Sequence, residues 1–199
     1  MPDKTRLRLP KVTDEDALPQ RRILMLSSAG QLGGAERSYL EVMRHLSETF
    51  SIHACVPPET PLARMCSLQR ATVHEVPMRR FRRTINPFVL AGQLRALHQS
   101  SRTIGEICQS NGIELIHANT DSAAIMAWEV ARQANVPFIW HCRDMRPMHG
   151  FARTLGAAAA AVVAISGAVR DHLLREGVRE DKLHLIYNGI DVDRFHPEG

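Results

Sequence analysis

The chain has 199 residues, 44% hydrophobic and 23% charged, a composition that supports one sizeable soluble core and excludes a disordered, fibrous or membrane-embedded protein. Its formal charge of +4 favours acidic partners (phosphates, anionic lipid or nucleic acid) without choosing among them. Cys55, Cys66, Cys108 and Cys142 show neither C-x-x-C pairing nor regular spacing, so they read as incidental thiols of a reduced, cytoplasmic protein without a metal site.

Residues 1–20 mix Pro2, Pro10 and Pro19 with Asp14, Glu15 and Asp16 and have no apolar period, which predicts a loose tail outside the core. Ile23–Leu26 is too short for a secretory h-region, and Ala157–Ile165, the most apolar stretch, is too short to span a bilayer. Arg22–Ser28 is an apolar run ending in a glycine-rich turn, as a buried parallel strand should be. An amphipathic helix is predicted from Ala35 to about Phe50, with Tyr39, Leu40, Val42, Met43 and Leu46 on its apolar side. Ser51–Val56 follows as a strand closed by Pro57-Pro58, then a helix over Pro61–Gln69 and a strand over Thr72–Val76.

The run Arg79-Arg80-Phe81-Arg82-Arg83 comes next, either a solvated loop or a contact for phosphate or an anionic membrane. Asn86-Pro87 has the form of an N-cap with proline at the first helical position, opening a helix that runs to about Ser110 and stops at Asn111-Gly112. Ile113–Ala118 reads as a strand, Ser122–Gln133 as a helix and Val136–Cys142 as a strand. A small helix is expected over Gly150–Leu155, a strand over Ala160–Ile165, a helix capped by Ser166 and ending at Gly177, and a last strand over Lys182–Tyr187. This alternation predicts an α/β fold: a Rossmann-like, doubly wound, mostly parallel sheet with helices on both faces, spanning residues 21–192. Ligands of such sheets sit at the carboxyl ends of the strands.

Three strand ends carry candidate chemistry. After the first strand, Ala29–Glu36 contains Gly33 and Gly34 just before a helix N-terminus, which suits a phosphate or simply a turn that needs glycine. It is neither the G-x-G-x-x-G dinucleotide fingerprint nor a P-loop, and no acidic residue is clearly placed to hold a ribose, which disfavours nicotinamide or S-adenosylmethionine cofactors. After the fifth strand, His141 can bond a sugar hydroxyl or phosphate oxygen, Arg143 can pair with phosphate, and Asp144 can orient either neighbour. At the fourth, His117 reads as structural, and Asn119, Thr120 and Asp121 read as the cap of the next helix. Nucleic acid is disfavoured as a partner because only 5% of residues are aromatic and no stacking or helix-turn-helix motif is present.

Gly33-Gly34-Ala35-Glu36-Arg37 resembles the Gly-Gly-x-Glu loop of glycosyltransferase family 4, and Trp140–Asp144 resembles that family's strand-end His-Asp segment. Val163–Ser166, Lys182–Asp191 and Phe195–Pro197 resemble its passage into an interdomain linker, so the likeness runs in order from Arg22 to Pro197. The resemblance implies half of a GT-B fold, the acceptor-side domain of a retaining, metal-independent transferase that uses a UDP-, GDP- or ADP-sugar. It implies contact of His141 with the transferred sugar, and approach of Gly33 and Gly34, with Arg143, to the donor diphosphate or the acceptor. Glu36, Asp144 and Asn119 would support them. Cys142-Arg143 between His141 and Asp144 departs from the family pattern, which leaves the role of Asp144 open.

Expected partners are a C-terminal donor-binding domain, which in this family holds the nucleotide, and a sugar or lipid-linked acceptor for polysaccharide, lipopolysaccharide or glycolipid synthesis. Location would be cytoplasmic, with peripheral contact at the inner membrane face. Residues 193–199 would begin the linker, and this chain alone would then transfer negligibly. The alternative is a short non-catalytic phosphate- or sugar-binding module, or one subunit of a split transferase.

Overall fold

The computed structural model describes residues 20–78 and 84–189. The expected tail before Gln20, the Arg79–Arg83 run and the linker start at 193–199 lie outside the described residues. The elements alternate as predicted: β1 Arg22–Leu26, α1 Gly34–Leu46, β2 Ser51–Val56, α2 Pro61–Leu68, β3 Thr72–Glu75, α3 Pro87–Ser110 and β4 Leu115–Ala118. They continue with α4 Asp121–Ala134, β5 Phe138–Cys142, α5 Phe151–Ala158, β6 Ala161–Ala164, α6 Gly167–Arg175 and β7 Leu183–Leu185.

The seven strands form one parallel sheet in the order β3-β2-β1-β4-β5-β6-β7. Chain direction across the sheet reverses between β1 and β4, and a crevice opens at the carboxyl ends of such a switch point. Both faces are covered, which is why β1 reads as a continuous apolar run. Leu24 and Leu26 join Ile116, Phe138, Trp140 and Val162 in a larger layer under α3, α4, α5 and α6. Ile23 and Met25 join Ile52 and Ala54 in a smaller layer under α1 and α2, which contribute Tyr39, Met43 and Leu62. Tyr39 is fully buried, and its hydroxyl donates to the Met25 carbonyl at 2.9 Å, so the layer hides no orphan polar group there.

Local signals set the helix ends. The Thr60 hydroxyl accepts from Ala63 N–H, the Asn86 side chain from Phe88 and Val89 N–H, and the Ser166 hydroxyl from Val169 N–H. Gly112, at φ +59°, takes the left-handed turn that stops α3 as its sequence predicts. Five expectations need correction. α1 stops at Leu46 rather than near Phe50, because the N–H groups of Thr49 and Phe50 both turn back to the Leu46 carbonyl. Ile113 and Glu114 are a lead-in to β4, because the Ile113 N–H returns to the Cys108 carbonyl at the end of α3. β5 starts at Phe138 rather than Val136, and α5 extends to Ala158. β7 covers only Leu183–Leu185: Lys182 belongs to a single 3-10 turn over Glu180–Lys182, and the pairing runs out after Leu185 because its partner strand β6 ends at Ala164.

All four cysteines are free and buried, Cys55, Cys108 and Cys142 in the larger layer and Cys66 in the smaller one. Burial pushes the thiols of Cys66 and Cys108 up to about 11 and those of Cys55 and Cys142 higher still. Among the described residues, no helix is long and apolar enough to cross a membrane.

Candidate functional site at the switch point

Parallel pairing decides which side chains meet. Met25 of β1 lies opposite His117 of β4, and His117 lies opposite Ile139 of β5. Side chains alternate along a strand, so His141 shares a face with Ile139 and His117, the face of the smaller layer. Trp140 and Cys142 point the other way. The end of β5 therefore serves two different spaces.

On the first face, His117 Nε2 and His141 Nδ1 are 3.1 Å apart, and the Arg143 guanidinium stands 3.4 Å from the same His141 Nδ1. Arginine only donates, so His141 Nδ1 is the acceptor and His117 Nε2 carries the proton between the rings. The neutral His141 ring then holds its own proton on Nε2. That N–H is buried and has no partner among the described residues, and His117 Nδ1 is buried and unpartnered as well. Burial, with the positive Arg143 beside them, pushes His117 down to about 4 and His141 down to about 3.

The sign of the pH dependence follows. Both folded-state values lie below the ordinary histidine value, so between about pH 4 and 6.5 the unfolded chain binds more protons. Stability is full above that window and declines as pH falls through it. On the order of 3 kcal/mol should be lost between pH 7 and 5 in urea unfolding, and less in a His117→Asn/His141→Asn double variant. A flat wild-type profile would contradict this arrangement.

Arg143 is the hub of the site. Its Nε donates to Asn119 Oδ1 at 2.9 Å, and its Nη1 donates to Ser38 Oγ and to Asn188 Oδ1, each at 2.9 Å. Ser38 Oγ also donates to Asn188 Oδ1 at 3.0 Å, and Asn119 Nδ2 donates to the Ala35 carbonyl at 3.2 Å. One guanidinium thus ties the ends of β4 and β5, the first turns of α1 and the segment after β7. Burial lowers Arg143 to about 10, with nearby Glu36 opposing the fall, so it stays charged at neutral pH.

Glu36 is 4% exposed and accepts the Gly33 N–H at 3.0 Å, one half of a capping box. A Cβ on Gly33 would stand 2.9 Å from that carboxylate, whereas a Cβ on Gly34 would meet nothing within 4 Å. The first glycine makes room for Glu36. The second leaves the start of α1, with its unpaired N–H groups, open to whatever approaches. Beside His141, a cavity of about 300 Å³ is lined by Ser38, Val42, Leu46, Tyr187 and Asn188.

On the opposite face, Asp121 is the first residue of α4 and is 7% exposed. Its carboxylate accepts from Trp140 Nε1 at 3.2 Å and from the Cys142 thiol at 3.5 Å. Burial, then the Asp144 charge, raises its titration above the usual carboxylate range.

His141, Arg143, Asn119, Glu36 and the two glycines come together as one cluster. The Asp144 carboxylate does not join them: it meets Arg146 at 3.4 Å, and only its backbone carbonyl, bonded by the Cys142 thiol, faces inward. Of the three residues expected to cap α4, only Thr120 does so, with its hydroxyl accepting from Ala123 N–H. Ser38, Asn188 and the buried Asp121 carboxylate are members that sequence reasoning missed. Ser38 and Asn188 are 150 residues apart, so no local motif signals their meeting. Among the described residues, no group of three His, Cys, Asp or Glu side chains is placed to hold a metal ion.

The fold has solved relatives. The Anabaena protein HepE, crystallised with UDP and glucose, is 23% identical, with a TM-score of 0.67 over 89% of this chain and 47% of its own. A glycosyltransferase from Rickettsia africae is 20% identical, with a TM-score of 0.67 over 90% of this chain and 47% of its own. Sucrose-phosphate synthase from Thermosynechococcus elongatus is 13% identical, with a TM-score of 0.63 over 89% of this chain and 50% of its own. The chain thus spans about half the length of these structures, and its sheet is the Rossmann-like half of a GT-B fold. No curated protein matches the sequence. Residues 32–194, most of the chain and all of the cluster around Arg143, match the sequence profile of Glycosyltransferase Family 4, and the chain belongs to that family.

Proposed function

We propose that this chain supplies the acceptor-side half of a nucleotide-sugar-dependent glycosyltransferase that moves a sugar from a diphosphate to an acceptor hydroxyl with the anomeric configuration kept. The observation that carries the reading is the buried, unpartnered His141 Nε2–H at the carboxyl end of β5. A neutral donor there bonds a hydroxyl of the transferred sugar without adding a second positive charge beside Arg143. The open start of α1 at Gly34 is suited to the donor diphosphate or the acceptor. Arg143 acts through His141 and α1 as a positioning residue, with Asn119 and Glu36 holding it in place. The HepE complexes with UDP-glucose and UDP favour a uridine nucleotide over GDP or ADP.

The other half of the cleft is a C-terminal donor-binding domain in this reading, consistent with relatives about twice as long. An open half-site lacks most of the electrostatic support for an oxocarbenium-like transition state, so the 199-residue chain alone should transfer negligibly. The test is UDP release from UDP-glucose, with and without acceptor sugars, by the native-length protein and by this chain. Equal turnover by both would overturn the half-site proposal, and a native protein of this chain's mass would favour a binding module or a split transferase.

Peripheral contact with anionic lipid at the inner membrane face is part of the proposal, through Arg79, Arg80, Phe81, Arg82 and Arg83. Changing the four arginines to glutamine should weaken binding to anionic vesicles by on the order of 1000-fold in a co-sedimentation assay, at about 1 kcal/mol for each lost charge. Unchanged binding would remove the lipid contact.

A further inference from the structure

Two proton arrangements suit a pair of neutral histidines 3.1 Å apart. Either His117 Nε2–H donates to His141 Nδ1, or His141 Nδ1–H donates to His117 Nε2. They differ at the outer edge of His141. The first leaves a proton on its Nε2, so the ring offers a donor there, whereas the second leaves Nε2 bare, an acceptor. Within the pair the two are alike, because each leaves His117 Nδ1 and His141 Nε2 buried without a partner among the described residues.

Arg143 makes the choice. Its Nη2 stands 3.4 Å from His141 Nδ1, long for a hydrogen bond, but a guanidinium presents only N–H groups, so a proton on Nδ1 would face it with like polarity. His141 is buried and Arg143 half-buried, and a low local dielectric sharpens that penalty. The selection holds only while the guanidinium is aimed at Nδ1, and it is aimed from two ends. Asn119 Oδ1 accepts the Nε–H at 2.9 Å and holds the near end of the fork. The far end closes a triangle: Arg143 Nη1 donates to Ser38 Oγ and to Asn188 Oδ1, each at 2.9 Å, and Ser38 Oγ donates to Asn188 Oδ1 at 3.0 Å. The Glu36 carboxylate nearby, itself bonded by the Gly33 N–H, is the competing attraction for a fork released from that triangle.

Asn188 is the corner of the triangle that comes from the segment after β7. Among the described residues, the last backbone bond of that segment runs from the Ile186 N–H to the Ala164 carbonyl. Ile186 and Tyr187 are 55% and 69% exposed, so little apolar contact seats the segment beyond that point. The Asn188 side chain does so instead, against Arg143 and α1. Asn188 is exposed, so water could satisfy its carboxamide, and its bonds serve the half-buried cation rather than the amide. We propose that Asn188 is a positioning residue that, through Arg143, keeps His141 in the tautomer with its proton on Nε2. The proposal rests on the transferase reading for its use: the donor that His141 offers a sugar hydroxyl is fully present only while the segment after β7 is seated on α1. In that reading the segment leads toward the donor-binding domain, so the placement of one half of the cleft sets the chemistry of the other.

The test is nitrogen NMR of this chain with isotope-labelled histidine rings at pH 7. Both rings are neutral there, since burial and Arg143 hold His117 near 4 and His141 near 3, so the spectrum reads the tautomer alone. Wild type should show His141 in the Nε2–H form only. Asn188→Ala should leave roughly half of the His141 rings in each form. Asn188→Asp keeps an acceptor for Arg143, strengthened by its charge, and should restore the single form, a rescue that a merely loosened segment would not show. In the native-length protein kcat should follow the Nε2–H fraction, falling about twofold in Asn188→Ala and recovering in Asn188→Asp, with KM for the donor little changed. A single Nε2–H form in the alanine variant, or two forms in wild type or the aspartate variant, would overturn the proposal. So would a kcat that ignores a split tautomer. The NMR needs no substrate, so failure of the transferase reading would appear separately, as a kcat unmoved by His141→Ala.

Discussion

Replacing Arg143 with alanine should destabilise the domain by about 2–4 kcal/mol, the largest loss expected from any single change at the site. Its guanidinium makes three hydrogen bonds of 2.9 Å to side chains on three different segments, and each is charge-assisted. Removing it also leaves the buried Glu36 carboxylate without its nearby positive charge. Arg143→Lys should recover only part of the loss, because an ammonium cannot reach Asn119 in one direction and Ser38 with Asn188 in another as a planar fork does. Urea unfolding at pH 7 measures both variants. A loss below about 1 kcal/mol for alanine would mean that solvent replaces the network freely.

His141→Ala in the native-length protein should lower kcat by about 100- to 1000-fold, the usual cost of one lost transition-state hydrogen-bond donor. KM for the donor should change little, since the nucleotide is held elsewhere in the proposed reading. His141→Gln keeps a donor on a flexible stem and should recover part of the rate. Because His117 bonds to the same ring, His117→Phe should give a milder loss of kcat, through a ring then held by Arg143 alone. A kcat for His141→Ala within threefold of wild type would remove this histidine from the reaction.

Much of the fold was legible because the signals are local. Periodicity placed every strand and helix, and Asn86-Pro87, Ser166 and Asn111-Gly112 fixed helix ends through hydrogen bonds within three or four residues. Errors fell where tertiary context decides. Val136 and Ile113 look like strand residues, but pairing in the sheet starts after them. The site was half legible. His141, Arg143 and the glycine loop stand at strand ends, where the doubly wound topology concentrates ligand chemistry. The inward course of Arg143 was not, since it depends on Ser38, Asn119 and Asn188 arriving from distant parts of the chain. Asp121 looked like an ordinary cap until the register of β5 brought Trp140 onto its carboxylate.

The distribution of the four cysteines gives the domain a chemical clock. A thiol reagent meets none of them while the sheet stays closed, since every one is buried and its thiolate is disfavoured. Cys66 answers only to the layer beneath α1 and α2, whereas Cys55, Cys108 and Cys142 answer to the layer beneath the other four helices. The order in which peptides become labelled under native conditions therefore reads out which half opens first, with no probe added to the chain.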